Sequence, residues 1–134
     1  MIEAMILQDS AAMSTTPTPR AQRLIDPSVL DRIQGEVDSC DIVLFMNGTP
    51  VFPLCGPSAQ AVQILALLGM RYKSIDVTTD PSLRLAIRDF SDWPTLPQLY
   101  VMGHFIGGND VMRQMLENGR LQELFTMCGI AAEA

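Results

Sequence analysis

The chain has 134 residues, 48% of them hydrophobic, and a formal net charge of -6 at pH 7, which suits one domain around a single core. The acidic balance argues against nucleic acid or an anionic membrane as a partner, because both call for a basic face. No apolar run reaches the length of a bilayer span, and no basic stretch precedes an apolar one at the N-terminus, so a soluble, cytoplasmic protein is expected.

Residues 1–26 mix Ser, Thr, Pro and Ala around Thr15-Thr-Pro-Thr-Pro and read as a flexible tail, with Met5 and Met13 as alternative starts. Acidic Glu3 and Asp9 argue against a targeting peptide. The domain proper is expected over residues 27–128, with 129–134 as a C-terminal tail. Val29, Leu30, Ile33 and Val37 recur at helical spacing, which predicts a helix over Pro27–Ser39 with Asp26 as N-cap and Pro27 at the first position. Ile42–Met46 is a short apolar run, the pattern of a buried strand.

The stretch from Met46 to Gln60 is the most informative. Pro50 and Pro53 stiffen a loop that delivers Cys55 to the start of a helix predicted over about Gly56 to Leu68. The unpaired amides and partial positive charge of a helix start favour thiolate over thiol. A small buried cysteine at a strand–helix junction is the alternative. The three cysteines, Cys40, Cys55 and Cys128, include no C-x-x-C pair and are too few for a secreted disulfide framework. A reducing compartment and one nucleophilic or metal-binding thiol fit this usage.

Arg71 to Val77 alternates polar and apolar, predicting a second strand, parallel to the first through a βαβ unit. Asp80 and Pro81 mark the start of a helix through about Asp89. Leu99–Met102 and His104–Ile106 are expected to form a hairpin through Met102-Gly103. Asn109 or Asp110 should cap a helix over Val111–Glu117, and a last helix should run over Leu121–Met127. His104 reads as a solvated turn residue rather than a metal ligand, since metal sites need clustered partners. Trp93 should pack beside the Pro94 turn, and the scattered methionines should fill the core. Cys40 is expected to pack; Cys128 is expected to be exposed and open to intermolecular disulfide formation.

Four blocks carry a resemblance: Gly48-Thr-Pro with its long loop before the cysteine, Cys55-Gly-x-Ser58-Ala-Gln60-Ala, Trp93-Pro-Thr-x-Pro-Gln98, and Gly107-Gly-x-Asp110. In this order they resemble the monothiol glutaredoxins, over residues 27 to 127 or so, with CGPS where the family has CGFS. The resemblance implies an α/β, thioredoxin-like fold of the glutaredoxin type, a central four-stranded mixed sheet flanked by helices. It implies a cis bond before Pro97, which leaves the Thr95-Leu96 backbone to pair with extended glutathione. Asn109 and Asp110 would hold the glutamyl end, and Arg84 the glycyl carboxylate. From the residues alone, Arg84 could equally lie on a solvated helix face.

Ser58 stands where a dithiol enzyme has its second cysteine, so any redox cycle must use an external thiol such as glutathione. A [2Fe-2S] cluster takes four thiolates. One Cys55 from each of two chains and two glutathiones make four, and members of the family carry labile clusters this way as dimers, often with BolA-like partner proteins. Three positions depart from the family. Asn47 replaces a glutathione-binding lysine, Pro57 a phenylalanine, and Asn109 a frequent cysteine. Asn47 supplies only dipoles, so the Cys55 thiol is expected to be less acidic than in a typical member. Three readings follow: a cluster carrier, a glutathione-dependent thiol transferase, and a binding module with neither activity.

Overall fold

A computed structural model describes residues 26–132. The readings made for residues 1–25, the tail and the alternative starts included, lie outside the described residues. Helix α1 spans Pro27–Ser39 as expected, and the Asp26 carboxylate accepts from the Ser28 amide at 2.9 Å. Strand β1 spans Ile42–Met46 and helix α2 Gly56–Leu67. Strand β2 is shorter than the alternating pattern suggested, covering Lys73–Asp76. Val77–Thr79 instead forms a 3₁₀ turn, because the Asp76 side chain accepts from the Thr78 amide and caps it.

Helix α3 follows over Pro81–Ser91, capped by Asp80 through the Ser82 and Leu83 amides. Strands β3 (Gln98–Val101) and β4 (His104–Gly107) form the expected hairpin. Its two turn residues, Met102 and Gly103, both have positive φ, 52° and 82°, the geometry of a tight two-residue connection. Helix α4 spans Asn109–Glu117 and α5 Arg120–Met127. Gly108 and Gly119 are their N-caps. The expectation that Asn109 or Asp110 caps α4 is therefore corrected: the backbone is already helical at Asn109, and its side chain is used elsewhere.

The strand order is β2-β1-β3-β4, with β1 and β2 parallel and the other two pairings antiparallel. This is the expected four-stranded mixed sheet with helices on both faces. Every residue of β1 is buried, and alternate residues feed opposite cores. Ile42, Leu44 and Met46 meet Ala61, Ile64 and Leu65 of α2, Met112 of α4, and Leu121 and Phe125 of α5. Val43 and Phe45 meet Ile33 and Val37 of α1 and Leu83, Ala86 and Ile87 of α3. Met46 and Met112 serve the core, whereas Met102 and Met127 are exposed.

His104 is exposed, as the turn reading requires. Cys40 is exposed rather than packed, because the chain leaves α1 there in extended geometry, ahead of the first buried strand residue. Cys128 is half-buried against the α4–α5 side of the core, not fully exposed. Among the described residues, no helix is long and apolar enough to cross a membrane.

Candidate functional site

Strand register explains how distant segments meet. Met46 pairs with Asp76, Phe45 with Gln98, and Leu99 with Gly107. The C-terminal ends of β1, β2 and β4 and the N-terminal end of β3 therefore share one edge of the molecule. The loop after β1, the loop before β3 and the start of α4 all emerge there.

The loop after β1 is a built structure. Gly48 has φ 92°, and its amide donates to Asp76 Oδ1 at 3.0 Å. The Thr49 and Phe52 amides each donate to the other's carbonyl, at 3.2 and 3.0 Å, and the Leu54 amide closes the loop on the Asn47 carbonyl at 2.9 Å. These bonds fix the approach to Cys55. The loop tip is apolar and uncharged, with Val51, Phe52 and Leu54 exposed.

Cys55 is the N-cap of α2, in extended geometry, with a proline in the first helical turn. Its half-buried Sγ lies 3.2 Å from Ser58 Oγ and 3.4 Å from Asn47 Nδ2. Ser58 is fully buried, and its hydroxyl oxygen also accepts from the Asn47 amide at 3.0 Å. Behind Asn47 stands Arg84, whose Nη2 donates to Asn47 Oδ1 at 3.0 Å. Arg84 is half-buried and turned to the site, which settles its side of α3. Its Nε is buried and without a hydrogen-bond partner among the described residues.

Burial pushes the Cys55 thiol up. Hydrogen bonds from the Ser58 hydroxyl, the Asn47 side chain and the Ser58 backbone, with the nearby Arg84 charge, outweigh it and hold the thiol below its ordinary value. The view that Asn47 contributes a dipole alone is thus amended, since a guanidinium acts behind it. Such a sulfur is suited to attack a disulfide or to ligate a soft metal.

The Leu96–Pro97 bond is cis. Thr95 is exposed, Leu96 half-buried and Pro97 buried. Gln98, fully buried, holds this segment from behind: its Nε2 donates to the Trp93 and Thr95 carbonyls at 3.1 and 3.2 Å. Trp93 packs on Phe105 of β4, ring centroids 5.7 Å apart. A Cβ on Gly108 would lie 3.3 Å from the Pro97 carbonyl oxygen, so the start of α4 sits directly against this loop. Asn109 Nδ2 donates to Gln60 Oε1 at 2.6 Å and ties α4 to α2. Asp110 is exposed and pairs with Arg113 at 3.2 Å.

Sequence reasoning assigned no role to Asp76 or Gln98. The Asp76-Val-Thr-Thr run carried a turn signal that would have flagged the first; a buried glutamine at a strand start carries none. Among the described residues, no group of three or more His, Cys, Asp or Glu side chains is placed to hold a metal ion.

Residues 42–106 match the family model described as Glutaredoxin. The chain is 42% identical over 100 residues to a ycf64-like monothiol glutaredoxin of Synechocystis sp., covering 75% of this chain and 94% of that one. It is similar to the solution structure of a monomeric truncated mutant of 1-C-Grx1 from Trypanosoma brucei, with a TM-score of 0.72, 35% identity, and 78% and 96% of the two chains covered. A crystal structure of the buckwheat glutaredoxin–glutathione complex is also similar, with a TM-score of 0.71, 25% identity, and 85% and 100% covered.

Proposed function

This chain belongs to the glutaredoxin family, and on that premise we propose that it is a monothiol glutaredoxin that binds glutathione and carries a [2Fe-2S] cluster between two subunits, each giving one Cys55. The observation that carries this reading is the pairing of Cys55 with Ser58. The oxygen 3.2 Å from Sγ stands where a resolving sulfur would be needed, so the thiol has no neighbour with which to close a local disulfide. A half-buried thiol held below its ordinary value, on an uncharged rim, fits one of the four thiolates such a cluster takes. In the arrangement that the family resemblance implies, a second chain would give one more thiolate and two external thiols the other two.

Glutathione is the external thiol we propose, and the buckwheat complex supports the choice. Asn47, Arg84, Leu96, Pro97, Asn109 and Asp110 form the proposed glutathione site. The Thr95-Leu96 backbone would pair with the peptide, Arg84 with the glycyl carboxylate, and Asn109 and Asp110 with the glutamyl end. The cluster is cargo to be passed on, with a BolA-like protein or an iron–sulfur apo-protein as the proposed partner. A cytoplasmic location is proposed from the cysteine usage, three thiols with no C-x-x-C pair.

The test is anaerobic reconstitution with iron, sulfide and glutathione, read by visible absorption and a sizing column, with Cys55→Ser alongside. A brown dimer that requires both Cys55 and glutathione is the expected result. A colourless monomer would reject the carrier reading.

The lowered thiol favours a second reading, a glutathione-dependent thiol transferase. The Cys55 thiolate attacks the glutathione sulfur of a glutathionylated protein, and the protein thiolate leaves. A second glutathione thiolate then attacks the Cys55 mixed disulfide, giving oxidised glutathione and free Cys55 thiolate. A glutathione-coupled disulfide assay distinguishes this from a binding module with neither activity.

A further inference from the structure

Asn47 uses every hydrogen-bonding group it has. Its amide nitrogen donates to Ser58, its carbonyl accepts from Leu54, its Oδ1 accepts from Arg84, and its Nδ2 faces Cys55 Sγ. The orientation of the side-chain amide is dictated by chemistry, because a guanidinium has donors only. The oxygen must face Arg84, which turns the NH₂ group to the sulfur.

Arg84 itself is incompletely used. Nη2 is bonded to Asn47 while Nε, on the same edge of the guanidinium, is buried without a partner among the described residues. A buried unpaired donor is costly, and the edge that carries Nε and an Nη is one a carboxylate can bind with two parallel hydrogen bonds.

We infer that Arg84 is a positioning residue for the Asn47 amide, and that a ligand carboxylate engaging the Nε–Nη2 edge of Arg84 takes the place of Asn47 Oδ1 and releases that amide from its fixed aim at Cys55. Carboxylate recognition and the donor facing the sulfur are thereby coupled, one weakening as the other forms. A lysine at position 47 would lack this coupling, since an ammonium cannot accept from Arg84. The inference rests on the proposed glutathione site and names how its carboxylate end communicates with Cys55.

The test compares S-methylglutathione, which cannot react with the thiol, with its glycinamide analogue, which lacks the terminal carboxylate. Binding is measured calorimetrically, and the Asn47 side-chain NH₂ and Arg84 Nε–H signals are followed by ¹⁵N NMR. S-methylglutathione should move both signals, and the analogue should bind and leave them in place. In Asn47→Ala, affinity for S-methylglutathione should rise by roughly threefold to tenfold, the worth of one competing hydrogen bond, with the analogue unaffected. Arg84→Lys, which keeps the charge but loses the two-donor edge, should prefer S-methylglutathione over the analogue less strongly than the parent does.

Signals unmoved at saturation, or weaker binding of S-methylglutathione by Asn47→Ala, would overturn the coupling and leave the glutathione site standing. No binding of either ligand by the parent protein would overturn both. Backbone amide dispersion in the same spectra verifies that each variant is folded.

Discussion

At Gly48 the backbone sits at φ 92°, and a Cβ there would lie 2.6 Å from the Phe52 carbonyl oxygen and 2.7 Å from the Leu54 nitrogen. Both are main-chain atoms of the same closed loop and cannot swing aside. Gly48→Ala should therefore cost about 1–3 kcal/mol and open the approach to Cys55, seen as a lower urea midpoint and a changed alkylation rate of the thiol. Ser58→Ala should leave the half-buried Asn47 amide without its partner, a cost of about 1 kcal/mol. It should also remove a donor to the sulfur, so iodoacetamide labelling of Cys55 at neutral pH slows. An unchanged unfolding midpoint would contradict that role.

Asp76 anchors the same loop. Burial raises its carboxyl, but the Thr78 side chain and the Thr78 and Gly48 amides more than offset this and hold it below the usual value. A carboxylate depressed in the folded state contributes stability that is complete above its unfolded pKa, about 3.9, and is lost as pH falls through the folded value. The melting temperature of the parent minus that of Asp76→Asn should be largest near neutrality and shrink on acidification below about pH 4.

Among the elements, the start of β3 carries a fully buried polar load. Gln98 is fully buried, donates to the Trp93 and Thr95 carbonyls, and accepts from the Tyr100 hydroxyl at 3.1 Å. Gln98→Leu would remove all three hydrogen bonds, the one from the buried Tyr100 hydroxyl included, and should destabilise by about 1–3 kcal/mol, while loosening the loop that ends in Pro97. Hydrogen exchange of the Trp93, Thr95 and Leu96 amides would register the loosening, and unchanged protection would sink the idea.

Elements with local signals were legible in the sequence. Asp26-Pro27 and Asp80-Pro81 announce α1 and α3 at their observed starts, and the unbroken apolar run of β1 gives both its ends. The start of α4 was not legible, because Gly108 caps it with backbone alone and leaves Asn109 free to reach Gln60. The exposure of Cys40 was likewise hidden, since it depends on where the chain turns between α1 and β1. Of the site, Cys55 and the loop before Pro97 could be read from motifs. The Arg84–Asn47 bond spans 37 positions and depends on the angular phase of α3 against the end of β1, which no local pattern encodes.

Across the whole molecule, charge works against pairing. Each chain carries a net -6, so two copies brought together at Cys55 repel through solvent, and salt screens that repulsion. The segment from Asn47 to Gln60 contains no charged residue, which keeps the closest approach free of like-charge contacts. The cluster-bridged dimer we propose should therefore live longer as ionic strength rises from about 0.01 to 0.15 M, followed by the decay of visible absorption. A lifetime that falls with salt would mean that attractive ion pairs, rather than an uncharged rim, hold the copies together.

A cysteine in place of Ser58 would set a second thiol beside the first. The half-buried Asn47 amide disfavours that step, because it donates to an oxygen at 3.0 Å, and sulfur is a weak acceptor. A lineage that took it would give up part of the loop's anchorage in the same generation that it acquired the thiol. The lone sulfur is thus protected by the architecture beneath it.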